Sequence, residues 1–483
     1  MIHGKAIARV MGILMLLVGV LMLPGAAFSY YYGSSDLLAL LGSSAISILS
    51  GLAFFFAFKE DKDGIRKREG YLIVALTWVV MAIFGMMPYI ISGAIPKVPD
   101  ALFETISGLT TTGATILTDI EALPQGLLFW RSMTQWIGGL GIIVLTVAIF
   151  PLLGIGGIEL FVAEASGPTN DKLHPRIRET ARRLWLLYVG LTVLVAVLYY
   201  LFGMNLFDAV NHALTTMATG GFSTKNDSFA FFTSPALQYI AIIFMFIAGT
   251  NFTVIYFFLT GRVKAALRSD EFKAYAVVVA FLIVAISVPI YFLGDSGVEE
   301  AFRKTAFQII SMITTTGFVL DDYTAYHEGI TLIFFMFLFF GASAGSTSGG
   351  IKFVRHLTFF KNSYLEFKRI IHPRAIVPLK INGDRVTGKI ITSIMNFLLI
   401  YLMVFVFGSI FLSFMGYDII TSFGAVATSL GNVGPAIGGV GPEDSWNFFN
   451  PAAKIFLAFL MLLGRLELFT ILVLFTPYFW KAN

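Results

Sequence analysis

Four short stretches of this 483-residue chain can be laid over one another without gaps: FETISGLTTTG (103–113), NHALTTMATGG (211–221), FQIISMITTTG (307–317) and GAVATSLGNVG (424–434). Counting back from their closing glycines Gly113, Gly221, Gly317 and Gly434, the sixth residue is Ser or Thr in all four, and the fourth is Leu, Met or Ile. The chemistry open to such residues is narrow. Ser and Thr supply hydroxyls without fixed charge, and glycine permits the φ values that turn successive carbonyls inward. A ring of backbone carbonyls can replace the hydration shell of a cation. Four such loops around one axis would present the carbonyls of Thr111, Thr112, Thr219, Gly220, Thr315, Thr316, Asn432 and Val433 to one ion.

Loops of this kind need elements that hold them at one depth, and the composition says what those elements are. Hydrophobic residues make up 57% of the chain and charged residues 13%, about half the charged share of roughly 25% in a soluble domain. With 33 Lys+Arg against 29 Asp+Glu, the net charge is only +4. A soluble enzyme, a disordered tail and a nucleic-acid binder are excluded. There is no cysteine, which removes disulfide scaffolds, thiolate catalysis and Cys-ligated metals. No acid–base or metal-hydrolase motif is present, so no enzyme is expected. The chain reads as an all-α polytopic membrane protein.

A transmembrane helix needs about 20 mostly apolar residues. Ten segments qualify: Ile7–Phe28, Leu37–Phe58, Tyr71–Ile91, Leu127–Leu153, Leu184–Phe202, Leu237–Leu259, Tyr275–Leu293, Ile330–Phe340 with a continuation, Ile390–Met415 and Ala452–Phe475. The first is longer than a usual signal-peptide core and is expected to be retained. Each of the four loops lies between two full spans, behind an apolar segment too short to cross a bilayer. The last eight spans therefore form four units of helix, re-entrant loop and helix, an architecture made by copying one unit. Irregular backbone at membrane depth is tolerated only where it lines a cavity or is buried in protein. The expected division is a two-helix extension (1–60) and four repeats (61–158, 159–262, 263–372 and 373–483) in pseudo-four-fold arrangement around one pore. All four begin on the same side.

Orientation follows the distribution of Lys and Arg. With the N-terminus inside, the inner segments hold 26 basic and 12 acidic residues, and the outer segments hold six and 16. Both termini are thus expected in the cytoplasm. Glu104, His212 and Asp418 fall near the outer mouth, where a solvated polar rim is the expected role. Segment 352–389 holds nine basic and two acidic residues; it reads as a cytoplasmic loop of a size that suits a regulatory partner. His174-Pro175-Arg176 and His372-Pro373-Arg374 read as helix breakers.

With the strings FETISGLTTTGAT (103–115), QWIGGLGI (135–142), GGFST (220–224), GASAGSTSGGIK (341–352) and GRLELFTILVLFTP (464–477), essentially the whole chain resembles the Trk/Ktr superfamily of potassium transporters, and most closely its TrkH-type membrane subunit. Two helices ahead of the repeats suit that type. The resemblance implies potassium uptake across the inner membrane of a bacterium, as channel or symport. It also implies a homodimer in membrane lipid and a cytosolic, nucleotide-binding regulatory subunit of TrkA type. No cofactor is expected in this chain; potassium is the substrate. The fourth loop departs from the Thr-rich pattern with Gly431-Asn432-Val433, which makes the filter asymmetric. Sodium-preferring plant relatives carry serine at the first glycine position, so Gly113 argues for potassium.

The eighth span is interrupted by ten small residues, 341–350, too rich in glycine to hold a helix by propensity. Together with the resemblance this points to an intramembrane loop under the filter, with Gly345, Ser346 and Arg465 forming a gate. Arg465 lies 13 residues into the last span, near the membrane centre, where an arginine costs roughly 2.5–3.5 kcal/mol on insertion scales. On a continuous helix Glu467 would sit about 200° away from it, so a same-face partner is not expected. The alternative for the whole chain is a secondary transporter with a midplane site between inverted repeats. Repeats that all begin on one side disfavour it.

Overall fold

The structure, a computed structural model, describes residues 4–58, 67–141, 177–293 and 297–481. Six helices among them are long and apolar enough to cross a membrane: Gly4–Tyr32, Leu37–Ala57, Arg68–Ile91, Arg182–Leu201, Asp270–Leu293 and Gly388–Phe414. Their apolar residues do not all turn inward. On Asp270–Leu293, for example, Phe281, Val284, Val288 and Phe292 are exposed, as they must be where the surrounding solvent is lipid. Lipid gives apolar helices little reason to associate, so close approach of small residues does that work. The first two helices meet at Gly12 and Gly51, where a Cβ on either would come within 3.0 Å of the other's carbonyl oxygen. Ser44 Oγ donates to Gly19 O at 2.7 Å along the same seam. Asp36, buried between these helices, accepts from Leu127 N at 2.7 Å and so joins the extension to the rest.

Three expected spans are not straight. The eighth is broken where the sequence predicts: helix Glu328–Phe337 gives way to segment 341–350, and a new helix runs Phe353–Ile371. The sixth and tenth differ from expectation. The sixth bends by 110° between Pro235–Ala248 and Phe252–Leu259, and the tenth by 109° between Pro451–Arg465 and Phe469–Phe475. In the sixth, Asn251 caps a fresh helix by accepting from Thr253 N at 2.8 Å. In the tenth, Glu467 and Leu468 take φ of 57° and 55°, left-handed values that a non-glycine residue seldom adopts. Arg465 therefore ends a helix instead of lying within one. The fourth span is helical over Gln125–Trp136 and passes into a wider π-turn, Ile137–Gly141; the rest of it and His174-Pro175-Arg176 lie outside the described residues.

Segment 352–389 is a helix and a short hairpin, not a loop. The helix Phe353–Ile371 stops at His372, ahead of Pro373, whose ring disfavours helical geometry in the preceding residue. Strands Lys380–Ile381 and Asp384–Arg385 pair antiparallel.

Four half-helices lead to the four aligned loops: Val98–Leu109, Leu206–Ala218, Val298–Ile313 and Ile419–Gly431. Two of them are capped by side chains, Asn205 accepting from Asp208 N and Asp418 from Thr421 N. Asp418 is exposed, as a rim residue should be.

Candidate ion-conducting site

The four loops adopt one conformation. The residue two before each closing glycine is left-handed in every case, with φ of 54° at Thr111, 52° at Thr219, 56° at Thr315 and 53° at Asn432. The glycines are left-handed as well, at 81°, 78°, 74° and 101° for Gly113, Gly221, Gly317 and Gly434. Two left-handed residues in a three-residue stretch reverse the backbone twice, and only glycine meets that condition without steric strain.

The glycines also show how the loops are arranged. A Cβ on Gly113 would fall on Gly220 O, one on Gly221 on Thr316 O, one on Gly317 on Val433 O, and one on Gly434 on Thr112 O, all closer than 3.0 Å. Each loop thus packs its glycine against the preceding carbonyl of the next, and the fourth returns to the first. That is a closed ring in chain order. The four half-helices end at it, so the partial negative charge of each C-terminus lies beside the ring.

Buried carbonyls almost always have donors. Of the eight carbonyls named from the sequence, all buried, seven accept no protein hydrogen bond among the described residues. The eighth, Gly220 O, accepts from Gln135 Nε2, whose amide orientation is set by Phe222 N donating to Oε1 at 3.0 Å. One lone pair of that oxygen is thereby engaged. Thr111 Oγ1 and Asn432 Oδ1, also buried, have no hydrogen-bond partner among the described residues. In loops one and three the threonines flanking the left-handed residue bond to each other, Thr110–Thr112 at 2.8 Å and Thr314–Thr316 at 2.7 Å. Loop four instead uses Asn432 Nδ2, which donates to Thr112 Oγ1 at 3.1 Å and Met461 O at 2.9 Å.

Residues that follow the loops line a cavity of about 310 Å³, with all four glycines at its floor and Asp227, Glu443 and Asp444 among its acidic groups. Glu104 and His212 do not form its solvated rim, contrary to expectation; both are fully buried. They brace the strands leaving the ring. Glu104 accepts from Thr115 Oγ1 at 2.9 Å, from Ile116 N at 3.0 Å and from Arg131 Nε at 2.7 Å. His212 Nε2 lies 3.0 Å from Ser223 Oγ.

The opposite side of the ring meets segment 341–350. Gly349 N donates to Thr315 Oγ1 at 2.7 Å, and Thr219 Oγ1 lies 3.3 Å from Thr347 Oγ1. A Cβ on Gly349 would strike that of Asn432. Segment 341–350 thus touches three of the four left-handed residues, Thr219, Thr315 and Asn432. Gly345, with φ of 74°, passes its carbonyl to Phe252 N at 3.0 Å, while Ser346 Oγ folds back to Ser343 O at 2.6 Å. Arg465 closes the arrangement. Its Nη1 donates to Thr347 O at 2.9 Å, and Nη2 donates to Gly138 O and to Gly139 O, the latter at 2.9 Å. The three residues named for the gate are thus in one place, but Thr347 and Gly349, which touch the ring, were not among them. Nor were Asn251 and Glu271, which hold Ala344 O at 2.6 Å and Ala344 N at 2.8 Å. Glu467 pairs with Arg355, a contact that the bend after Arg465 makes possible.

The chain resembles proteins of known identity over nearly its whole length. The family model for TrkH, described as cation transport protein, matches residues 39–481. The Trk system potassium uptake protein TrkH of Escherichia coli (strain K12) is 39% identical over 486 residues, covering 99% of this chain and all of that protein. TrkG, a Trk system potassium uptake protein of the same organism, is 34% identical, covering 99% of each chain. The crystal structure of the potassium transporter TrkH from Vibrio parahaemolyticus superposes with a TM-score of 0.89 at 35% identity, covering 99% of this chain and all of the other. The chain belongs to the TrkH family of cation transport proteins.

Proposed function

We propose that this protein takes up potassium ions across the cytoplasmic membrane of a bacterium, through a filter made by the ring and a gate made by segment 341–350 with Arg465. The observation that carries this reading is the ring itself: eight buried carbonyls, seven of them without a protein donor among the described residues, in four loops of one conformation, closed in chain order. A cation entering it exchanges water for carbonyls of Thr111, Thr112, Thr219, Gly220, Thr315, Thr316, Asn432 and Val433. The half-helix C-termini add favourable potential without a carboxylate that would bind the ion too tightly to release. Potassium as the ion is supported by the names of the relatives at 34–39% identity.

Below the ring, segment 341–350 fills the path, and the Arg465 guanidinium repels a cation at short range while its hydrogen bonds hold the segment in place. Opening requires Thr347 O to leave Arg465. Both termini then lie in the cytoplasm, in keeping with the basic inner segments. The relatives are named as members of a Trk system; this chain would be the translocating member, a homodimer in membrane lipid with a nucleotide-binding TrkA-type subunit. The basic helix Phe353–Ile371 and the hairpin after it offer that subunit a surface continuous with the gate.

Purified protein in liposomes, with K⁺, Na⁺ and pH gradients varied separately, tests the reading. The reversal potential is expected to follow the K⁺ gradient. A potential indifferent to K⁺ overturns the proposal.

A further inference from the structure

The ring is enclosed by a second cycle of contacts, two residues further along each loop. The carbonyl of Thr115, two beyond Gly113, accepts from Trp446 N at 2.9 Å. Ser223 O, two beyond Gly221, accepts from Arg131 Nη1 at 3.0 Å. Val319 O, two beyond Gly317, accepts from Phe229 N at 3.0 Å and Ala230 N at 3.1 Å. Ala436 O, two beyond Gly434, accepts from Tyr323 Oη at 2.8 Å. The donor in each case lies in the segment that follows the preceding loop, so loop four's segment pins loop one, one pins two, two pins three and three pins four.

Four carbonyls at the same position of each loop, each held from the segment after the preceding loop by donors of three different chemical kinds, are not the by-product of one residue type. From these contacts we infer that the cycle is a belt that sets the bore of the filter's mouth, and that Arg131 and Tyr323 are positioning residues for selectivity. The inference rests on the potassium-filter reading. Its physical basis is the left-handed glycine between each pinned carbonyl and the carbonyl of the ring. Glycine leaves that joint soft, so the strand beyond must be anchored for the ring oxygens to keep their spacing. Whether cation choice comes from cavity size or from the field of the carbonyls, it depends on where those oxygens are held.

The two side-chain links are built to stay in place. Arg131 is buried, with Glu104 on Nε and its guanidinium 3.8 Å above the Phe222 ring. Tyr323 is buried against Phe334, centroids 5.0 Å apart. Neither reaches the ring carbonyls, so neither is a ligand.

Tyr323→Phe deletes one hydroxyl and leaves the packing intact. In liposomes it should raise Na⁺ permeability relative to K⁺ by about threefold or more, the scale of one neutral hydrogen bond. Arg131→Lys keeps a positive partner for Glu104 but cannot also span to Ser223 O, and should move the ratio in the same direction; it carries the test if Tyr323→Phe fails to accumulate. Tyr326→Phe removes a hydroxyl from the same segment that donates to Asp321, outside the belt, at 2.9 Å, and should leave the ratio unchanged. A residue that merely stabilises the fold would lower the melting temperature without moving the ratio. A potassium-selective wild type with unchanged ratios in both belt variants overturns the belt alone, as does an equal shift in Tyr326→Phe. A wild type without a K⁺-driven potential overturns the filter reading and the belt with it.

Discussion

The two halves of the proposed conduction path are built on opposite plans. At the ring the backbone plan is repeated: each loop is left-handed at the same two positions, packs its glycine on the next loop's carbonyl and is pinned by the previous loop's segment. Beneath the ring nothing is repeated. One broken span supplies segment 341–350, one bend at 249–251 holds it through Asn251, and one arginine fastens Thr347 O. The difference follows from the tasks. Oxygens that replace a hydration shell must be evenly spaced, and repetition is the simplest way to space them. A barrier that opens needs contacts that can be lost without disturbing the ring, and single-copy contacts allow that.

The sharpest way to break this contrast is to introduce one methyl group into the ring. In Gly317→Ala the Cβ would meet Val433 O, at a residue with φ of 74°. Left-handed strain of about 1–2 kcal/mol adds to overpacking of about 1–3 kcal/mol. K⁺ flux is expected to fall about 100-fold or more in protein that still folds, a factor equivalent to some 3 kcal/mol. Full flux would mean that the ring tolerates local distortion, and that its repetition serves folding instead of conduction.

Arg465→Ala should act in the other direction. It removes the positive charge under the ring and the donors to Thr347 O, Gly138 O and Gly139 O. Hydrogen bonds from a charged group contribute about 1.5–3 kcal/mol each, so flux is expected to rise about tenfold. Unchanged or lower flux in a well-folded variant would make the inner half structural, like the outer, and the contrast would fail.

How much of each half could be read from the sequence follows the same division. Spacing exposes a repeated unit, so the loops and their closing glycines are legible without coordinates, whereas the left-handed φ at Thr111, Thr219, Thr315 and Asn432 is not. Nor are the braces behind the loops. Glu104 looked like a charged rim residue because Arg131, which makes its burial tolerable, is 27 residues away in sequence; a buried carboxylate needs such a partner. The bend at 249–251 had a local signal, Gly249 followed two residues later by a helix-capping Asn251. It was outweighed by the apolar run on both sides. The bend after Arg465 had none. Glu467 and Leu468 are ordinary helix formers, and their left-handed geometry is paid for by tertiary contacts, among them Glu467 with Arg355. Treating Ala452–Phe475 as one helix placed Glu467 by the wheel of a helix that does not exist.

The finest test lies at the seam between the halves, where Thr347 touches both. Its Oγ1 donates toward Met217 O at 3.1 Å and Ala248 O at 3.2 Å, and lies 3.3 Å from Thr219 Oγ1 in the ring. Thr347→Val keeps the shape and the backbone carbonyl that Arg465 holds, and removes only these neutral contacts, worth about 0.5–1.5 kcal/mol in all after exchange with other partners. Flux should rise by about threefold, less than in Arg465→Ala, while the Na⁺-to-K⁺ permeability ratio stays at the wild-type value. That combination would show the segment loosened without disturbing the ring above it. A changed ratio with unchanged flux would instead assign Thr347 to the filter, and the boundary between the repeated half and the single-copy half would move one layer inward.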